Sequence, residues 1–283
     1  MTAVRKADFA GSWYPGAEAE CRLAIDEYLK SSIPWDREGG VGGIVPHAGW
    51  YFSGRIALNV IKCLSTDPRP DTVVIFGMHL HPKSGSYIMK EGIWDTPLGG
   101  LEIDSDLGER LEQEFFFHVE TPSSHNQDNT IELQLPFVKY LYPDVRILPV
   151  GVPPTDDSIR IGEQTAEIAK ETGKRLLVLG STDLTHYGPN YGFISHGVGK
   201  KAVEWVKNEN DRKIVDLFLS MDAKGVIEES HTSHNACCGG AAAAAIAAAK
   251  ALGARNGEEL IYKTSYDIRP DNSFVGYSGV VFI

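Results

Sequence analysis

The sequence predicts an α/β fold, a single domain in which a mainly parallel central sheet is flanked by helices. Three observations carry this expectation. Short apolar runs, β-branched or Leu-rich, alternate with stretches of helical periodicity along all 283 residues. The runs end in glycine, proline or polar residues, as buried strands do. No linker, repeat or low-complexity segment interrupts the alternation, so the domain is drawn over residues 1–283.

The strands are expected at "GGIVPHAG" (42–49), "TVVIFGMH" (72–79), "VRILPVGV" (145–152) and "RLLVLGSTD" (175–183). Two more, "LIYKTSYDI" (260–268) and "FVGYSGVVFI" (274–283), close the chain. Between them the spacing of apolar residues predicts helices over 17–32, 53–64, 106–115, 131–141 and 156–173. Ser53 is a candidate cap for the second of these, and Pro136 is expected to kink or split the fourth. A long helical stretch covers about 198–220, and the last helix is the alanine run at 238–254. Its small side chains suit close packing against the sheet.

Composition narrows the function. The chain is 42% hydrophobic and 23% charged, as soluble globular proteins are. With 27 Lys+Arg against 38 Asp+Glu the net charge is −11, and no basic stripe is present. Nucleic acid and anionic membrane surfaces are therefore not expected partners. The charged N-terminal residues lack the apolar core of a signal peptide. No stretch reaches the ~18 apolar residues of a membrane span. A cytoplasmic location is expected. Of the four cysteines, Cys21 and Cys63 fall in helical patterns as buried small hydrophobes. In a reducing compartment the adjacent pair Cys237 and Cys238 is not expected to form a structural disulfide.

In open α/β sheets ligands bind beyond the carboxyl ends of the strands. Chemistry-bearing residues gather there. "PHAGW" places His47 at one strand tip, "GMHLHP" places His79 and His81 at another, and "STDLTHYG" places Asp183 and His186 at a third. "HTSHNACCGG", before the last helix, adds His231, His234, Cys237 and Cys238, while His125 lies in a separate polar loop. Imidazole, thiolate and carboxylate together suit a borderline-soft metal such as iron, zinc or copper. No HExxH or CxxC motif is present, so such a site would be assembled from distant segments. A cysteine at a helix start is held near the positive end of the dipole, which favours the thiolate. The bland alternative is that both cysteines only pack.

Five stretches together resemble the MEMO family: "AGSWYP" (10–15), "VPHAGWYFSG" (45–54), "STDLTHYG" (181–188), "HNACCG" (234–239) and "YSGVVF" (277–282). They run in the family's order over nearly the whole chain. Bacterial and archaeal members are often called AmmeMemoRadiSam system protein B. The resemblance implies a fold like that of the class III extradiol dioxygenases, non-haem iron enzymes that open catechol rings. It implies a divalent metal, iron first, with zinc or copper as alternatives. Carried over by motif, the metal ligands fall on His47, His81 and Cys238. Counting from Gly77 puts His79 on a serine of the family's Gly-Pro-Ser-His-His pattern. Asp183 and His186 match a second pair of pocket residues, with His186 as acid/base. "DNTIE" (128–132) departs from the family's Glu-His-Ser-Ile-Glu: Asn129 replaces a pocket histidine and cannot exchange a proton near neutral pH. Glu132 is retained. Trp13, Tyr14 and Trp50 are candidates to line the pocket and contact a ligand, with loop or core packing as the alternative.

Three functions compete. One is a metal-dependent oxidoreductase related to the dioxygenases. Another is a non-enzymatic module that binds metal or a peptide in the same cleft. The third is a zinc hydrolase, in which a metal-bound water attacks. The expected partner is a small molecule or peptide in the metal cleft; substrate and oligomeric state stay open.

Overall fold

The computed structural model describes residues 2–37, 39–64 and 68–283. Its strands are β1 (Val4–Arg5), β2 (Gly42–Val45), β3 (Thr72–Gly77), β4 (Ser86–Met89), β5 (Ile93–Trp94), β6 (Leu101–Glu102), β7 (Phe117–Glu120), β8 (Arg146–Gly151), β9 (Leu176–Ser181), β10 (His186–Tyr187), β11 (Gly257–Thr264) and β12 (Phe274–Phe282). Its α-helices are α1 (Glu18–Lys30), α2 (Trp50–Cys63), α3 (Ser105–Glu114), α4 (Asn129–Glu132), α5 (Leu135–Leu141), α6 (Asp156–Thr172), α7 (Lys200–Trp205), α8 (Asp211–Leu219), α9 (Ala223–Ser233), α10 (Gly239–Ala251) and α11 (Ser265–Ile268). The predicted alternation is the observed one, an α/β fold around a mostly parallel sheet.

Strand order in the large sheet is β10-β12-β2-β9-β3-β8-β4-β7, with β11 also on β12. The four central strands β2, β9, β3 and β8 are parallel and buried. Antiparallel β12 and β4 flank them. β1, β5 and β6 form a small separate sheet. The four apolar runs read as strands are these central ones, because a strand buried on both faces reads as continuous hydrophobicity. The short strands β4 and β7 lack that signal, as does helix α9.

Helices cover both faces. α2 packs on β2 and β12 with α1 and α5 beside it, while α10 packs on β9, β2 and β3 with α6 and α9 around it. The alanine run lets α10 come close: a Cβ on Gly162 of α6 would lie 2.2 Å from the Ala244 carbonyl oxygen. The helix foreseen over 131–141 is split, with Leu133 and Gln134 between α4 and α5 and Pro136 in the first turn of α5, where its missing N–H costs nothing. The strand foreseen over 260–268 stops at Thr264. There a reciprocal capping box with Asp267 starts α11. The 198–220 stretch contains a π-helical turn over Val206–Asn210 between α7 and α8. Among the described residues no helix is long and apolar enough to cross a membrane.

Candidate metal centre

The central strands β2, β9 and β3 lie side by side in one register. Val45 pairs with Ser181, and Phe76 with Gly180, so Val45, Ser181 and Gly77 share a row. Two residues further along, His47, Asp183 and His79 emerge together past the carboxyl ends of the three strands. The Cys237–Cys238 segment is stitched to the same tip. Cys237 N–H donates to the Asp183 carbonyl (3.1 Å), Asp183 N–H to the Cys237 sulfur (3.3 Å) and Cys238 N–H to Thr182 Oγ1 (3.1 Å).

His47, His79, Cys237 and Cys238 thereby offer four donor atoms that all lie within 4.8 Å of one another. His47 Nε2 is 3.1 Å from His79 Nε2 and 3.3 Å from Cys237 Sγ, and the two sulfurs are 3.7 Å apart. Metal–nitrogen and metal–sulfur bonds of ~2.0–2.1 and ~2.3 Å in a tetrahedron require edges of ~3.3–3.8 Å. The three closest donor pairs lie at or near that range and every pair lies within 4.8 Å, so the group could hold a single ion.

The tautomer of His47 suits this. Ser181 Oγ spends its one proton on the Thr130 carbonyl (2.7 Å), so it accepts from His47 Nδ1–H (3.0 Å). In the neutral ring Nε2 then carries the lone pair and faces the cluster. Burial opposes a charge on His47, but Asp183 and Cys237 outweigh it and raise its pKa to about 9. The sulfurs are driven apart. Burial acts against both thiolates, yet the Cys238 thiol and His47 hold the Cys237 thiol well below its usual range. Burial and the neighbouring Cys237 push Cys238 up. Cys237 is thus the thiolate of the pair. All four cysteines are free.

Around the donors lies a cleft of about 650 Å³, lined by His47, His79, Asn129, Asp183 and His186 among others. Asp183 is buried and accepts the His47 backbone N–H (2.8 Å). Burial is the main cause of its raised pKa. His186 is not bonded to Asp183. Its Nδ1 donates to the Leu184 carbonyl (3.1 Å), which leaves Nε2 as the free acceptor toward the cleft. Asn129 Nδ2 donates to the His47 carbonyl (3.0 Å).

The expected residues divide. His47 and Cys238 both lie in the donor group. His81 does not join them: its exposed ring accepts the Lys83 N–H (3.1 Å). Met78, in left-handed conformation (φ 69°), turns the chain so that His79 takes the place assigned to His81. Cys237, not singled out as a ligand, is also in the group. Trp13 lines the cleft. Tyr14 and Trp50 do not. Both are buried, Trp50 stacked on Phe137 (4.1 Å) with its indole N–H on the Leu133 carbonyl. His231 bonds the Pro154 carbonyl and His125 pairs with Asp8, both outside the group. A row count from paired strand ends would have found His79. It needs the strand register, which local periodicity does not contain.

The sequence pattern of Memo-like proteins matches residues 5–281. A MEMO1 family protein of Methanopyrus kandleri is 35% identical over 96% of this chain and 96% of its own. One of Thermococcus onnurineus is 32% identical, covering 99% of each chain, and one of Pyrococcus abyssi is 33% identical, covering 98% and 99%. The solved structure of an uncharacterized protein of Escherichia coli K12 aligns at TM-score 0.46 and 14% identity, over 85% of this chain and 98% of that one. End-to-end alignment with these archaeal relatives, over a span that includes every donor of the cluster, means that the chain belongs to the MEMO family.

Proposed function

We propose that the protein binds one first-row transition metal, iron first and zinc or copper as alternatives, through His47, His79, Cys237 and Cys238, and that it acts on a small molecule in the adjoining cleft as a metal-dependent oxidoreductase. The observation that carries this reading is the convergence of four donors within 4.8 Å of one another, combined with a His47 tautomer that aims its lone pair at them. A thiolate–imidazole set of this kind suits these soft and borderline ions. When bound, a redox-active ion would supply Lewis acidity and one-electron chemistry. The chain's own residues do the rest. Ser181 holds the His47 ring, Asp183 places charge beside it, and His186 presents Nε2 to the cleft to take or give a proton. Such acid–base help is worth about 10²–10⁴-fold in rate. His79 is exposed at the cleft wall and is the donor a substrate could displace.

One observation favours a second reading: four ligands close a tetrahedron, as in structural zinc sites, and that would make the protein a binding module. Elemental analysis of protein purified without added metal separates the readings. About one iron or copper per chain, kept in His186→Ala, is the expected result. Stoichiometric zinc that His79→Ala fails to open to exogenous ligands would favour the binding module. Failure to retain any of these metals after loading would overturn the metal site itself.

A further inference from the structure

The cleft has a second pole that the metal reading does not use. Arg269, the residue that ends α11, lines its wall, where no other lysine or arginine is found. Among the described residues its guanidinium has no hydrogen-bond or ion-pair partner. Asp271 lines the same wall and is the one carboxylate near it there; the other carboxylate in the lining, Asp183, belongs to the strand tip with the donors. Aromatic faces make up much of the remaining lining. Trp13, Tyr51 and Tyr191 are 42%, 69% and 47% exposed, and all three line this one cleft. Tyr191 stands edge-on to His186, with ring centroids 5.0 Å apart.

On the reading of this cleft as a substrate site, we propose that its ligand is a small aromatic carboxylate: its acid on Arg269, its ring among Trp13, Tyr51 and Tyr191, and a polar substituent toward His186 and the metal donors. The guanidinium fork matches a carboxylate with two parallel hydrogen bonds. A lone arginine beside Asp271 favours a monoanion over a phosphate dianion, which would need more cationic partners. A cleft of about 650 Å³ has room for a single-ring compound. An aliphatic acid would leave the aromatic faces uncovered.

The test is calorimetric titration of the protein as purified with 4-hydroxybenzoate and with its neutral isostere 4-hydroxybenzamide. The acid should bind at millimolar concentration or better, and the amide about 10- to 100-fold more weakly, the worth of a hydrogen-bonded charge pair. Arg269→Gln should weaken the acid by a similar factor and leave the amide unchanged. Arg269→Lys should restore part of the loss, and Trp13→Ala should weaken both probes. The proposal falls if acid and amide bind alike, if Arg269→Gln leaves the acid unchanged, or if neither probe binds. Metal content is measured on the same samples. Protein that retains no metal even after loading but still prefers the acid would sink the metal reading alone. Metal-loaded protein indifferent to the carboxylate would sink this inference alone.

Discussion

Two neighbouring regions of the molecule each bury a carboxylate and treat it differently. Glu132 accepts three donors: the backbone N–H groups of Asp8 and Phe9 (2.8 and 2.7 Å) and the Tyr14 hydroxyl (2.9 Å). Tyr14 stacks on Trp50, and Trp50 on Phe137. The Glu132 oxygens, the two backbone N–H groups, the Tyr14 hydroxyl and the Trp50 indole N–H all have partners inside the protein, so they tie the N-terminal segment to α4. Asp183 accepts one backbone N–H and faces a cleft, beside imidazoles and sulfurs whose remaining valences point at one another. Saturated polar groups stabilise, whereas unsaturated convergent ones are available for chemistry. The same motifs feed both regions. "SWYP" sends Trp13 to the cleft and Tyr14 to the anchor, and "PHAGWY" sends His47 and Tyr51 to the cleft and Trp50 to the anchor.

If this division is right, substitutions in one region leave the other's property intact. The largest effect is expected for Glu132→Ala. It strands three donors in the interior and should cost about 4 kcal/mol of stability, read by denaturant unfolding, while metal content per folded chain stays the same. Loss of metal with little loss of stability would erase the distinction.

Cys237→Ser reverses the pattern. A four-ligand site shares roughly 10–16 kcal/mol among its donors, so losing the thiolate should weaken metal by about 10²–10³-fold in a chelator competition. Cys238→Ser should cost less, because its sulfur must first give up a proton that burial and Cys237 hold in place. A larger loss from Cys238→Ser would make Cys238 the principal sulfur ligand.

The pH dependence sharpens the comparison further. His47 holds its proton up to about pH 9 in the metal-free protein, and an ion must displace that proton to reach Nε2. Below that pH the protonated form dominates, so the His47 proton alone should lower apparent affinity about tenfold per unit, or ~100-fold from pH 8 to pH 6, with any proton released by Cys238 steepening the slope. A flat affinity profile across that range would remove His47 from the ligands. The smallest effect is expected for Ser181→Ala. It frees the His47 ring to rotate and should weaken metal about tenfold, the usual worth of a group that orients a ligand, with melting of the metal-free protein nearly unchanged.

Much of the fold was legible in the chain. The four central strands and α10 announce themselves by composition, because a strand buried on two faces and a helix packed tightly on a sheet tolerate few residue types. The ordered motifs around His47, Asp183, His186 and Cys238 were also enough to indicate the family and to gather most of the site at the strand tips. Tertiary structure decided which member of each motif reaches the donor group. His79 displaces His81 because Gly77 is in register with Val45 and Ser181, and Met78 turns the chain just after it. Cys237 joins Cys238 because hydrogen bonds to Thr182 and Asp183 pin both residues at the β9 tip. Neighbouring residues in a motif share composition and local propensity, so their separate roles rest on contacts with segments distant in sequence, and those exist only once the strands have paired.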